Sequence, residues 1–174
     1  TLSLHDALRS DFMSYLNYVT PMIFAALAVL VALRAGLFNI GISGQMLAAG
    51  FTASIIVGYS ELSSILARPL VIIVGFIIGG LVGYLIGFLK ERFNINEVVS
   101  SIMLNYIIQY LVSFLINTYF VDPVSRQSKN ISKASRLTLT DIVIGDLKLD
   151  IPLGIILALI TAFIIWFLLE KTKT

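Results

Sequence analysis

Residue types that most often carry chemistry are scarce in this sequence of 174 residues. It has no cysteine, which excludes a disulfide framework, a thiolate metal site and a cysteine nucleophile. It has one histidine, His5. It also lacks the GxxxxGK[ST] loop that cradles nucleotide phosphates, and no set of serine, histidine and aspartate stands out. We therefore expect a protein that is not an enzyme and that binds no metal or cofactor of its own.

Charge is scarce too, and its placement excludes further classes of protein. Only 13% of the residues are charged, the net charge is +2, and the charges lie between long apolar runs. Since no basic face is formed, nucleic acid is not expected as a partner. No acidic or basic residue lies in the middle of an apolar run. This counts against a proton-driven pump or ion exchanger, which usually places a carboxylate or lysine within the membrane.

Apolar residues, in contrast, are abundant. They make up 58% of the chain, and the mean hydropathy is +0.97, whereas soluble domains average about 45–50% apolar residues. Five runs approach the roughly 20 residues that a helix needs to cross a bilayer, and they lack the alternation of a membrane barrel. The predicted fold class is therefore all-α: a polytopic transmembrane helical bundle of about five spans. The predicted spans are 17–34, 38–59, 69–89, 97–117 and 151–169.

Two polar segments lie outside these spans. Residues 1–12 start at Thr1 and differ in character from the rest of the chain, so we interpret them as a non-native or disordered leader before a transmembrane domain at 13–174. Residues 118–150 are compatible with a short hairpin or a surface helix, and with a docking surface or a solvated connector. Lysine and arginine number five on one predicted side of the membrane and seven on the other, so the charge rule leaves orientation open.

A glycine ridge marks the third predicted span. Gly75, Gly79, Gly83 and Gly87 recur at every fourth position and share one face of a helix. Because glycine has no side chain, a neighbouring helix can approach such a face closely. Helix packing is therefore the role that we expect for these four residues.

The stretch GLFNIGISGQM, residues 36–46, holds three glycines between two apolar runs, together with the uncharged polar side chains of Asn39, Ser43 and Gln45. Glycine permits backbone conformations that other residues resist, and transporters use broken helices to aim free backbone groups at a solute. One interpretation is a helix break beside a translocation pathway. The other is a tight turn between helices, with the amides bonded to nearby backbone.

The fourth predicted span carries a polar stripe at four-residue spacing, which places its members on one helix face. The stripe consists of Glu97, Ser101, Asn105 and Gln109, with Tyr106 beside it. Asn96 can cap the helix, and Glu97 in the first turn suits the helix dipole. The deeper amides must be paired, either with another helix or with a wet pathway. Uncharged groups of this kind suit a neutral polar solute such as a sugar or nucleoside.

Both motifs resemble signatures of a known family. GLFNIGISGQM resembles "G-x-F-N-I-G-x-E-G-Q-M", and FNINEVVSSIMLNYI, residues 93–107, resembles "F-x-x-N-E-V-I-S-T-I-M-L-N-Y-I". These are signatures of permease subunits of bacterial ABC importers, in the branch for nucleosides and simple sugars that is related to the branched-chain amino acid permeases. The likeness covers roughly residues 17–174. One position departs from it: Ser43 stands where the family usually has glutamate, so an acid that contacts a cationic group or braces the helix break is lost.

The resemblance implies a multi-pass permease subunit of an ATP-driven importer in the bacterial plasma membrane, which moves a nucleoside or simple sugar by alternating access. It implies three partners: an ABC ATPase subunit that uses the ATP, a second permease subunit (the same or homologous), and an extracellular substrate-binding protein. The polar segment 118–150 is then external and offers the binding protein a docking surface. The chain ends in WFLLEKTKT, residues 166–174, just before the family's cytoplasmic coupling loop, so we interpret it as part of a longer permease.

We expect uncharged polar residues from both motifs to line the substrate pathway. The candidates are Asn39, Ser43, Gln45, Ser101, Asn105, Tyr106 and Gln109. Two alternatives stay open. One is a secondary transporter with the same kind of broken helix, and the other is a non-transporting helical membrane scaffold whose glycines and amides serve packing only.

Overall fold

The structure is a computed structural model that describes residues 4–60, 62–121, 127–128, 132, 137–144 and 147–171. In these ranges the chain forms five α-helices, two of which continue into a π-helical turn, and one two-stranded hairpin. The α-helices are α1, Leu4–Arg34; α2, Ile42–Ala53; α3, Ser64–Phe93; α4, Glu97–Leu115; and α5, Leu153–Lys171. The π-helical turns are Ser54–Gly58 after α2 and Ile116–Phe120 after α4, and the strands are β1, Thr138–Ile144, and β2, Leu147–Pro152.

The predicted all-α, polytopic fold is confirmed. Four helices in the described ranges are long and apolar enough to cross a membrane. They are Asp11–Arg34, Ser64–Phe93, Glu97–Phe120 and Leu153–Lys171. The second predicted span is a shorter apolar helix, Ile42–Gly58. At about 1.5 Å per residue it rises about 25 Å, slightly less than the roughly 30 Å of a hydrocarbon core.

Two observations concern the polar segments. The α1 helix begins at Leu4, inside the segment interpreted as a leader, and passes through Pro21. The interpretation of residues 1–12 as a leader is not tested by this and stays a prediction. The segment 118–150, which was compatible with a hairpin or a surface helix, contains β1 and most of β2, which pair antiparallel with one irregularity in their register. The last two residues of β2, Ile151 and Pro152, lie in the range predicted for the fifth span.

The chain divides into two compact units, which are described separately. The first comprises α1 as far as Val31, the hairpin and α5. In this unit the N–H group of Leu153 donates a hydrogen bond to the carbonyl of Leu137 at 3.0 Å, where the hairpin meets α5. A Cβ atom at Gly154 would lie 3.0 Å from Cγ2 of Thr20. Glycine at the start of α5 therefore leaves room for the Thr20 side chain.

The second unit, residues 32–136, contains α2, α3 and α4, and α2 packs against both of the other helices. Its interior is small. The buried apolar residues are Ala53, Val57, Ala67, Ile86 and Val112. Large apolar side chains point outward instead, such as Phe76, which is 82% exposed. Lipid tails are as apolar as these side chains, so the outward apolar faces are those expected of a membrane bundle.

Candidate functional site

The stretch 36–46 connects α1 to α2. Gly36 follows the end of α1 in a left-handed conformation with φ +71°. The N–H groups of Gly36 and Leu37 donate to the carbonyls of Leu33 at 3.1 Å and Ala32 at 2.9 Å. Glycine suits this helix end because side chains rarely adopt positive φ. The local geometry is thus that of a turn between two helices, which is the second of the two interpretations of this stretch.

Asn39 stabilises this turn from within. Its Oδ1 accepts a hydrogen bond from the N–H group of Gly41 at 2.7 Å, and Gly41 is the residue that precedes α2. Asparagine commonly forms such turns, because its side chain reaches the backbone two residues on. The side-chain carbonyl of Asn39 is therefore engaged in shaping the entry to α2.

Asn105 joins α4 to the loop and to α2. Its Nδ2 donates to the carbonyl of Ile40 at 2.9 Å, and its Oδ1 accepts from the N–H group of Gly44 at 2.8 Å. Gly44 lies in the first turn of α2, where backbone N–H groups have no acceptor within their own helix. One side-chain amide of α4 therefore caps the N-terminus of α2 and fixes the preceding loop at the same time.

Ser101 adds a second link one turn earlier on α4. This side chain is fully buried, and its Oγ donates to the carbonyl of Val98 at 3.0 Å and accepts from the N–H group of Ile40 at 3.3 Å. The Ile40–Ser101 and Gly44–Asn105 pairs are both 61 positions apart in sequence. The two helices therefore start side by side and run parallel. We refer to Asn39, Ile40, Gly44, Ser101 and Asn105 as the amide junction.

Two glycines allow this close approach. A Cβ at Gly41 would lie 2.7 Å from Cδ1 of Ile86 and 3.3 Å from Cβ of Ser101. A Cβ at Gly44 would lie 2.6 Å from Oδ1 of Asn105 and 3.1 Å from its Cα. The second contact is with backbone, which cannot swing away as a long side chain can. Gly44 is therefore required for α2 and α4 to meet in this register.

An ion pair lies beside the junction. Lys90 lies in the last turn of α3, and Glu97 is the first residue of α4. Nζ of Lys90 is 2.8 Å from Oε1 of Glu97 and donates a hydrogen bond to the carbonyl of Gly36 at 3.3 Å. Asn94 adopts a positive φ of 54° in the turn between the two helices. The predicted Asn96 cap of α4 is confirmed, because Oδ1 of Asn96 accepts a hydrogen bond from the N–H group of Val98 at 2.8 Å. The sequence analysis did not predict this ion pair. Opposite charges that flank a short turn between two helices are the sequence signal for it.

The structure gathers only some of the candidate pathway residues. Asn39, Ser101 and Asn105 meet in the amide junction. Gln45 is half-buried on the side of α2 that faces α3, where its Nε2 would lie 3.1 Å from a Cβ at Gly83. The remaining candidates, Ser43, Tyr106 and Gln109, are exposed in the isolated chain. The assignment of all seven residues to a substrate pathway stays a prediction.

The glycine ridge of α3 is open along most of its length. At Gly75, Gly79 and Gly87 a Cβ would meet nothing within 4 Å, whereas at Gly83 it would meet the amide of Gln45. Packing of the other three against a further helix stays a prediction. Within the described ranges, no group of three histidine or acidic side chains could hold a metal ion.

Comparisons with known proteins point to one family. A family described as "Branched-chain amino acid transport system / permease component" matches residues 12–174. A curated relative, the nucleoside ABC transporter permease protein NupB of Lactococcus lactis subsp. cremoris (strain MG1363), is 41% identical over 64 residues. That match covers 36% of this chain and 17% of the relative, so the chain matches less than a fifth of the relative's length. No solved structure matches.

These findings bear on the resemblance inferred from the two motifs. The resemblance to permease subunits is confirmed, since the family match extends well beyond the 36–46 and 93–107 motifs. Together with the apolar helices it indicates a multi-pass protein of the bacterial plasma membrane.

Proposed function

The chain belongs to the family of permease components of branched-chain amino acid transport systems, and on that premise we propose that it is the membrane subunit of an ATP-driven importer. The solute is a nucleoside or a similar small neutral polar molecule such as a simple sugar, which the likeness to a nucleoside permease supports. A separate ATPase subunit uses the ATP. A second permease subunit, the same or homologous, completes the pathway, and an extracellular binding protein delivers the solute.

The observation that carries the choice of solute is the uncharged character of two glutamine side chains, one on α2 and one on α4. Gln45 follows Gly44 in α2, and Gln109 lies one turn beyond Asn105 in α4. Neither side-chain amide hydrogen-bonds to any residue in the described part of the chain. Amides can donate and accept, so they match the hydroxyl groups of a sugar and the edges of a base. A neutral solute also avoids the cost of a charge within the membrane.

The amide junction gives α2 and α4 a mechanical role in this proposal. Alternating access moves rigid groups of helices around a site near the middle of the membrane. Because Asn105 bonds both Ile40 and Gly44, α2 and α4 move as one body. Asn39, Ser101 and Asn105 then hold the wall of the pathway, while Gln45 and Gln109 contact the solute.

Uptake by cells that express the complete importer tests the proposal. Labelled uridine, adenosine and ribose are offered in turn, and at least one nucleoside or sugar is expected to accumulate. Gln109→Ala and Gln45→Ala should each lower uptake about fivefold, the effect of one lost hydrogen bond. Protein levels in the membrane should be unchanged.

Asn117→Ala is the matched control for these variants, because the Asn117 amide, in the π-helical turn after α4, bonds back to the carbonyl of Ser113 at 2.8 Å. It should leave uptake at the wild-type rate. Unchanged uptake in both glutamine variants would show that the solute passes elsewhere. No uptake of any of the three compounds by the wild-type importer would reject the choice of solute.

A further inference from the structure

Two π-helical turns lie at the far ends of α2 and α4. They span Ser54–Gly58 and Ile116–Phe120. The π-helix is rare and occurs mostly as single turns that are frequently found at functional sites. The register of 61 positions that begins at the amide junction is kept here, since Tyr59 and Phe120 stand at the same spacing and stack on each other. The two π-helical turns are therefore neighbours at one level of the unit.

Three aromatic rings form a wall at this level. The Phe120 ring stacks on Tyr59 with 5.8 Å between centroids and 13° between planes, and it meets the edge of Phe51 at 5.9 Å and 89°. The rings line a cavity of about 150 Å³, together with Ile55 and the polar residues Ser54 and Ser128. We refer to this space as the aromatic cavity.

We propose that the aromatic cavity binds one planar ring with polar edges, of the size of a pyrimidine base. A cavity of about 150 Å³ is the size that accepts a single benzene ring in an apolar protein interior. Stacked and edge-to-face contacts with the aromatic wall favour a planar ligand over an aliphatic one.

The hydroxyl groups in the cavity select against a purely apolar occupant. Oγ of Ser54 donates to the carbonyl of Gly50 at 2.7 Å, which leaves its lone pairs available to accept from a ring N–H or amino group. Ser128, which comes from the polar segment after α4, adds a second hydroxyl. A lipid chain would fill the volume but could form no hydrogen bond with either hydroxyl.

Described residues of the polar segment form backbone contacts with this end of the unit. Ser128 forms a bridge with Val121, and the N–H group of Ser132 donates to the carbonyl of Gly58 at 2.9 Å. If this segment is external, as the importer proposal has it, the cavity lies on the side from which the solute arrives. The identity of the ring as a nucleoside base rests on that proposed function, while the size and chemistry of the cavity do not.

Binding of uridine to the purified complete importer in lipid nanodiscs tests the inference. Saturation-transfer NMR reports which uridine protons contact protein, and the base protons should receive more saturation than the ribose protons. Phe120→Leu removes the ring that contacts both other aromatics, and Ser54→Leu fills the cavity without removing a ring. Each should weaken uridine binding about threefold to tenfold.

Phe114→Leu is the matched control, since Phe114 lies on the same helix but is 63% exposed and does not line the cavity. The Phe114→Leu protein should bind uridine with the same affinity as the wild type. Equal uridine affinity in all four proteins, or absence of a base signal because lipid occupies the cavity, would overturn the inference.

Uptake measured with the same proteins separates this inference from the proposed function. ATP-driven nucleoside uptake that is indifferent to Phe120→Leu, with no binding at the cavity, would reject the cavity and leave the importer standing. Uridine binding that depends on Phe120, in a complex that shows no ATP-driven uptake, would reject the importer function and leave the cavity standing.

Discussion

At the end of the second unit where α2 and α4 begin, hydrogen bonds between the side chains of Ser101 and Asn105 and the backbone of Ile40 and Gly44 join α4 to α2 and the loop before it. At the other end, where the helices pass into π-helical turns, stacked and edge-to-face aromatic rings join them. The first end leaves no room, since a Cβ at Gly44 would overlap Asn105. The second end leaves a cavity of about 150 Å³.

The difference shows how one helix pair can be both fixed and adaptable. Hydrogen bonds are directional, so a side chain that bonds two specific backbone groups sets the register of the pair. Aromatic contacts tolerate a range of offsets and angles, so the same helices can adjust at the other end without losing their register. Substitutions at the two ends should therefore differ in size and kind of effect.

The largest effect is expected from Gly44→Ala. The new Cβ would lie 3.1 Å from Cα of Asn105 and 2.6 Å from its Oδ1, so the junction must open and lose its bonds. The destabilisation should be about 3 kcal/mol or more, seen as a lower apparent melting temperature of the purified complete permease. Gly50→Ala in the same helix is the control, because its Cβ meets nothing within 4 Å. Equal melting temperatures for the two variants would contradict the assigned packing.

The next effect in size is expected from Asn105→Ala. The Gly44 N–H and the Ile40 carbonyl would both lose their partner, which should cost about 1–3 kcal/mol. Asn117→Ala is the control, since that amide bonds only within its own helix, to Ser113. If both variants unfold at the same temperature, Asn105 does not hold the junction together.

A smaller effect is expected from Glu97→Gln, which removes the charge that faces Lys90 at 2.8 Å. This ion pair is partly exposed, and exposed pairs contribute little to stability. The loss in stability should be smaller than that of Asn105→Ala, and added salt should reduce it because salt screens the pair in the wild type. Glu91→Gln, near the same end of α3, serves as control. A loss that does not change with salt would show that charge is not the cause.

The smallest effect is expected from Gly83→Ala in the glycine ridge. Its Cβ would lie 3.1 Å from Nε2 of Gln45, which is the flexible end of a side chain and can move. The change in stability should stay within about 0.5 kcal/mol, and Gly79→Ala, whose Cβ meets nothing within 4 Å, gives the baseline. If Gly79→Ala destabilises the complete importer more than Gly83→Ala does, a further helix packs on the open ridge.

The helices could be predicted from the sequence, because the length of each apolar run is enough to indicate a membrane-spanning helix. The turn at Asn39 was accessible too, as one of two interpretations, because asparagine two positions before glycine is a local signal. The pairing of Asn105 with Gly44 was not, since the register between two helices depends on packing that hydropathy does not encode. The π-helical turns also left no signal in the pattern of apolar residues.

The polar stripe of α4 shows a second limit of sequence reasoning. Residues four apart share a face, but each step turns about 40° around the helix. Ser101 and Asn105 therefore face α2, whereas Gln109 has rotated away and is exposed. The four-residue spacing predicted that these residues share a face. Which of them form hydrogen bonds depends on the position of α2, which the spacing does not give.

The measurement that tests the central claim most directly is solute uptake by the purified complete importer in proteoliposomes, with its binding protein outside and ATP supplied to the ATPase side. We predict that labelled uridine or another nucleoside accumulates only when ATP is hydrolysed, with no ion gradient imposed. Accumulation that follows an imposed proton or sodium gradient and ignores ATP would contradict the account and indicate a secondary transporter.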